Sequence, residues 1–194
     1  AYNAPHSPIQ PPDDWLQKVK QRESGISDER AKIVALIEHM DAGIGKVVQA
    51  LKETDVYENT LIIFTSDNGG ATYFGGTNGP LRGEKQDMYE GGIRVPMCAV
   101  WPDHIQPGVQ TDRIALTMDL YPTACEAAGV TVDHYLEGCS ILDQLQSQEM
   151  APEDRYLVWM RREGGNRYMG LTTWAIRKGD WKLLQNRPMD PFEL

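Results

Sequence analysis

A chain of 194 residues with 41% hydrophobic content can bury one full core and a small second one, which predicts a large unit with an appendage. Its formal net charge of -9 and pI near 4.9 repel nucleic acid and anionic lipid surfaces, and its Lys and Arg residues are scattered, so polyanions are not the expected partners. A small anionic substrate stays open, because local charge rather than net charge governs binding inside a cleft.

No run approaches the roughly 18 apolar residues that span a bilayer. The opening Ala1-Tyr2-Asn3-Ala4-Pro5-His6 has neither the basic segment nor the apolar core of a leader peptide. Cys98, Cys125 and Cys139 are odd in number and match neither a zinc knuckle nor a redox pair, so they read as buried or incidental thiols.

The first predicted element follows Ser27, an N-cap ahead of Asp28 and Glu29, whose charges suit the positive end of a helix. Ile33, Leu36, Ile37, Met40, Ile44, Val47, Val48 and Leu51 recur at helical spacing and predict a long amphipathic helix ending near Lys52. His39 and Asp41 within it read as solvated or structurally paired. Thr60 to Thr65 is a short continuous apolar run, which predicts a parallel strand covered on both faces. Val95 to Trp101 reads as a second strand. Met118 to Ala128 reads as a helix stopped by Gly129, with Pro122 in its opening turns. This order predicts an α/β fold, an open sheet with helices packed on it.

Between Ser66 and Gly92 there is no sustained period and there are eight glycines. A loop that long, leaving the carboxyl end of a buried strand, stands where open α/β sheets place ligands. After Leu142 the texture turns polar. Residues 1–143 are predicted as the α/β unit, 144–154 as a linker, and 155–194 as a small antiparallel β-rich subdomain. Its strands are Arg155 to Met160, Trp174 to Arg177 and Trp181 to Leu184, with Lys178-Gly179-Asp180 as a turn, and its tryptophans read as core.

Three clusters carry chemistry. Ser66-Asp67-Asn68-Gly69-Gly70 sets a carboxylate and an amide carbonyl side by side at a strand end, hard oxygens that suit calcium or magnesium, although Asp and Asn also cap plain turns. Leu81-Arg82-Gly83-Glu84-Lys85, followed by Glu90-Gly91-Gly92-Ile93-Arg94-Val95-Pro96, brings a lysine point charge to the same loop. Asn3-Ala4-Pro5-His6-Ser7-Pro8 stiffens the backbone around a histidine able to exchange a proton near neutral pH.

Together with Asp41-Ala42-Gly43-Ile44-Gly45, Asp119-Leu120-Tyr121-Pro122-Thr123 and Arg177-Lys178-Gly179-Asp180-Trp181-Lys182-Leu183, this series resembles the type I sulfatases of the alkaline-phosphatase-like superfamily. The resemblance implies a sulfuric ester hydrolase acting on a sulfated small molecule or carbohydrate, with a periplasmic or secreted location. It implies that Asp67 and Asn68 are calcium ligands, that Lys85 contacts the sulfate, that His6 lies near the ester oxygen, and that Arg94 supports the loop. The family's nucleophile is formylglycine, made from a Cys or Ser followed two residues later by Pro and then by Arg. Cys98, Cys125 and Cys139 do not precede such residues, so the chain reads as the C-terminal part of a longer protein and is expected to be inactive alone. Two other readings remain. One is a phosphate-ester hydrolase or transferase of the same superfamily, against which Asn68 argues because two-zinc relatives tend to carry histidine there. The other is a non-catalytic scaffold that kept the fold.

Overall fold

The computed structural model describes residues 2–146, 155–166 and 168–194. It opens with a helical hairpin, α1 (Asp13–Arg22) and α2 (Asp28–Glu53). Ser27 caps α2, its hydroxyl accepting a hydrogen bond from the Arg30 N–H at 3.2 Å, and α2 ends one residue beyond the predicted Lys52. α1 was not among the elements expected from sequence. Its signals are brief: Pro12 at the N-cap, Asp13 and Asp14 in the first turn, Lys20 and Arg22 in the last. The two helices meet through Val19, Ala31 and Ala35, all fully buried, with Trp15, Leu16, Ile26 and Val34 packed around them. Small alanines on α2 let the helices approach closely. His39 stands beside Trp15, their ring centroids 5.5 Å apart.

Two strands follow, β1 (Ile62–Thr65) and β2 (Met97–Val100), with the glycine-rich loop and the four-residue helix α3 (Glu90–Ile93) between them. The expectation of a parallel β1 is corrected here: β1 pairs with β2 antiparallel, Ile62 opposite Val100 and Thr65 opposite Met97. A parallel neighbour needs a crossover that returns the chain to the starting edge, whereas the 66–96 segment folds back at one end of the strands. Nor is β1 covered on both faces, since Phe64 is exposed.

α4 (Leu120–Ala127) begins after a 3-10 turn at Thr117–Asp119, and Pro122 falls in its first turn, where a missing N–H costs no helical bond. Gly129 ends it at φ +66°. Asp119 is fully buried. Its carboxylate accepts from the Leu116 N–H at 2.7 Å, from the Cys139 N–H at 3.0 Å and from both Arg155 NH groups at 2.8 and 2.5 Å. This pair ties α4 to the start of the C-terminal piece. Leu142–Gln146 form the short helix α5, so the predicted linker begins helical, and its remainder, 147–154, lies outside the described residues.

The C-terminal piece is a three-stranded antiparallel sheet, β3 (Leu157–Arg162), β4 (Thr172–Lys178) and β5 (Trp181–Gln185). Lys178 pairs with Trp181, and Gly179 takes φ +56° in the two-residue turn between them, a conformation a side chain would resist. One face buries Leu157, Ala175 and Leu184; the other exposes Val158, Met160, Trp174, Ile176 and Leu183. Strand alternation therefore corrects the core assignment of the tryptophans. Trp159 packs against the buried cluster, but Trp174 and Trp181 are exposed.

Candidate functional site

β1 ends at Thr65, and the chain turns at once through Ser66, Asp67 and Asn68. The Ser66 hydroxyl donates to the Asn68 carbonyl at 2.8 Å, and the Asn68 amide Nδ2 donates to the Gly69 carbonyl at 3.0 Å. That second bond fixes the amide and leaves Oδ1 as its uncommitted oxygen. Backbone then meets backbone: the Gly69 N–H donates to the Gly92 carbonyl at 2.9 Å. A Cβ on Gly69 would stand 1.8 Å from the Gly91 oxygen, so only glycine lets the turn after β1 lie against α3.

The lysine loop is held to the same turn. The Lys85 N–H donates to the Gly70 carbonyl at 3.0 Å. Beyond it, Asp87 accepts from the Glu84 N–H at 3.0 Å, and Asn186 accepts from the Met88 N–H at 2.6 Å while donating to Asp87 at 3.0 Å. Met88 is buried among Ala175 and Leu184 of the C-terminal sheet. Lys182 reaches Glu90 of α3 at 2.7 Å, with Arg177 at 3.9 Å and Arg94 at 4.0 Å from the same carboxylate. The loop therefore has one end on β1 and the other in the β3-β4-β5 sheet.

An open cleft of about 1980 Å³ is lined by Asp67, Asn68 and Lys85 together with Glu90, Arg94 and Arg177. Among the described residues, the Asp67 carboxylate and the Lys85 ammonium have no hydrogen-bond or ion-pair partner. A carboxylate and an ammonium left unpaired in the lining of one cleft are groups that a metal ion and an anion can engage. The structure does not bring His6 to this lining. It is exposed, its Nδ1 donates to the Ser7 carbonyl at 2.8 Å, and it is not among the lining residues. Arg82 also turns elsewhere, over the Tyr89 ring at 3.7 Å and to Glu193 at 2.9 Å. Tyr89 donates to the same Glu193, a bond that pushes the phenol up and holds the Glu193 carboxyl down.

Among the described residues no three His, Cys, Asp or Glu side chains gather as a metal site. Asp67 and Asn68 supply two hard oxygens from adjacent positions, a donor set that fits calcium in kind and falls short of its six to eight ligands in number. Sequence reading had not singled out Asn78, Met88, Glu90 or Asn186, which build the loop around these groups. Glu90 and Asn78 lay within quoted or glycine-rich segments, but no local pattern announces their partners.

The fold is of the α/β class, with paired oxygen donors at a strand end and a lysine on the loop that follows. The comparisons narrow it: a sulfatase family model matches residues 1–130, and the C-terminal model of N-sulphoglucosamine sulphohydrolase matches residues 83–194, so this chain belongs to the sulfatase family. It is 37% identical over 165 residues to the uncharacterized sulfatase YdeN of Escherichia coli strain K12, covering 82% of this chain and 29% of that protein. The solved structure of Ps i-CgsB in complex with k-i-k-neocarrahexaose aligns over 100% of this chain and 41% of its own, with TM-score 0.87 and 34% identity. That of BT4656 with its substrate D-glucosamine-2-N,6-O-disulfate aligns over 84% of this chain and 33% of its own, with TM-score 0.70 and 26% identity. The fold is thus the alkaline-phosphatase-like fold of sulfatases, and the chain spans well under half the length of each of these proteins. No helix among the described residues is long and apolar enough to cross a membrane.

Proposed function

We propose that the protein to which this chain belongs hydrolyses sulfate esters, with a sulfated carbohydrate as substrate class and a periplasmic or secreted location. The observation that carries the reading is the shared cleft, whose lining includes Asp67, Asn68 and Lys85, with no partner for the two charged groups among the described residues. Asp67 and Asn68 would hold a calcium ion, whose charge offsets that of the sulfate. Lys85 binds a sulfate oxygen through its compact ammonium and stabilises the charge that develops as the ester bond breaks. His6 gives a proton or a hydrogen bond to the departing alkoxide, a role supported by its Ala-Pro-His-x-Pro motif rather than by its position. The nucleophile, formylglycine by family, comes from outside residues 1–194, because no cysteine or serine here is followed two residues later by the Pro that its formation needs.

The test uses the full-length protein. Turnover of p-nitrophenyl sulfate and co-purified calcium are expected in the wild type, and both should fall in Asp67→Ala. Bound zinc, with phosphate esters cleaved in preference to sulfate esters, would instead make the protein a phosphohydrolase of the same fold.

A further inference from the structure

Asp67 and Asn68 sit on one side of a long glycine-rich excursion and Lys85 on the other, and glycine leaves such chain free to wander. We infer that Asn78 is a positioning residue that holds the metal-binding turn and the lysine loop at one fixed separation; the inference rests on the sulfatase reading above. The Asn78 carbonyl oxygen accepts from the Gly70 N–H at 2.8 Å. Its Nδ2 donates to the Gly70 carbonyl at 3.1 Å and to the Gly83 carbonyl at 3.0 Å. One planar head thus engages both polar groups of the residue two places after Asn68, and the backbone two places before Lys85.

The Gly70 carbonyl also takes the Lys85 N–H, so Asn78 and the lysine loop converge on a single residue of the turn. Only an amide offers an acceptor and two donors in so small a span; a carboxylate cannot donate. Position 70 is shaped to receive it, since a Cβ there would lie 2.8 Å from the Asn78 oxygen. Asn78 is not itself among the residues lining the cleft. It acts by placing Lys85 against the turn that carries Asn68.

Displacement of a reacting or binding group by about 1 Å costs up to roughly a hundredfold in rate. In the full-length protein, Asn78→Ala is therefore expected to lower kcat/KM for p-nitrophenyl sulfate by about tenfold to a hundredfold, with the loss mainly in kcat. In a Lys85→Ala background the same change should cost no more than about threefold, because a lysine already absent cannot be misplaced. Amide hydrogen exchange gives a readout without turnover: the Gly70 and Lys85 N–H groups should lose protection together while those of α2 keep theirs. Equal losses in both backgrounds, or unchanged exchange at Gly70 and Lys85, would overturn the positioning role while leaving the sulfatase reading intact. Wild-type turnover in Lys85→Ala alone would instead remove Lys85 from the sulfate site and the purpose of Asn78 with it. Should Asn78→Ala not fold, Asn78→Asp keeps the acceptor for the Gly70 N–H, loses both donor bonds, and is judged by the loss of turnover in the two backgrounds and by exchange at Lys85.

Discussion

Lys85 is half-buried on a loop whose apolar anchor is Met88 rather than the lysine itself, so binding and folding should separate at this position. Lys85→Ala is expected to change the stability of the full-length protein by less than about 1 kcal/mol. Turnover of a sulfate ester should drop about a hundredfold to a thousandfold, the usual cost of removing one preorganised charge-stabilising contact. Lys85→Arg should recover only part of it, because a planar fork does not reproduce a compact ammonium; full turnover in the alanine variant would place sulfate binding elsewhere. Asp119 is the opposite case, important to the fold and not itself among the residues lining the cleft. Burial pushes its carboxyl up, but the Arg155 bonds and the Leu116 and Cys139 N–H groups outweigh burial and hold it below the ordinary carboxylate range. A carboxyl lowered in the folded state adds stability above its unfolded value near about 3.9 and gives it up as pH falls below that point. Asp119→Ala should destabilise by about 3 to 5 kcal/mol at neutral pH, since it breaks a buried ion pair and takes the acceptor from the Leu116 and Cys139 N–H groups, and should weaken the acid limb of the stability profile. Denaturant titrations at several pH values read both effects, and unchanged midpoints would show the pair to be dispensable.

Contact between the turn after β1 and α3 is the tightest place in the loop, and Gly69 is where it can be probed. Gly69→Ala must push the Gly91 carbonyl away, an overpacking change worth about 1 to 3 kcal/mol. It should also reduce turnover beyond what that instability explains, because Asn68 moves with the turn. Wild-type turnover in this variant would mean the turn has slack. How far these elements could be read in advance follows from what each one encodes locally. α2 carries its own cap and a long apolar stripe, so Ser27 and the spacing from Ile33 to Leu51 announce it. α1 is ten residues long with only Trp15, Leu16 and Val19 as its apolar face, too short a pattern to stand out. The run Leu61 to Phe64 announces a strand but neither its direction nor the cover on its faces, because both depend on neighbours that lie elsewhere in the chain. The placement of Asp67 and Asn68 at the end of β1 was legible from the run itself. Asn186 beneath Met88 was not, since its partners lie 98 and 99 residues away.

Across the chain, the residues proposed to bind metal and sulfate rest on two supports of different origin. β1 and β2 fix Asp67 and Asn68, while the C-terminal sheet fixes the far side of the lysine loop through Met88, Asn186 and the Lys182–Glu90 pair. The α1–α2 hairpin has its own buried cluster of Val19, Ala31 and Ala35 and shares none of those bonds. Warming should expose this division. Segments open with separate free energies when few contacts join them, so catalysis should fade once β4 and β5 release Met88, at temperatures where α2 still gives its full helical dichroism. Activity and far-ultraviolet dichroism followed on one heating ramp of the full-length protein should then trace two displaced curves, with Asn186→Ala shifting only the first to lower temperature. Superimposed curves in both proteins would mean that sheet, loop and hairpin melt as one cooperative body.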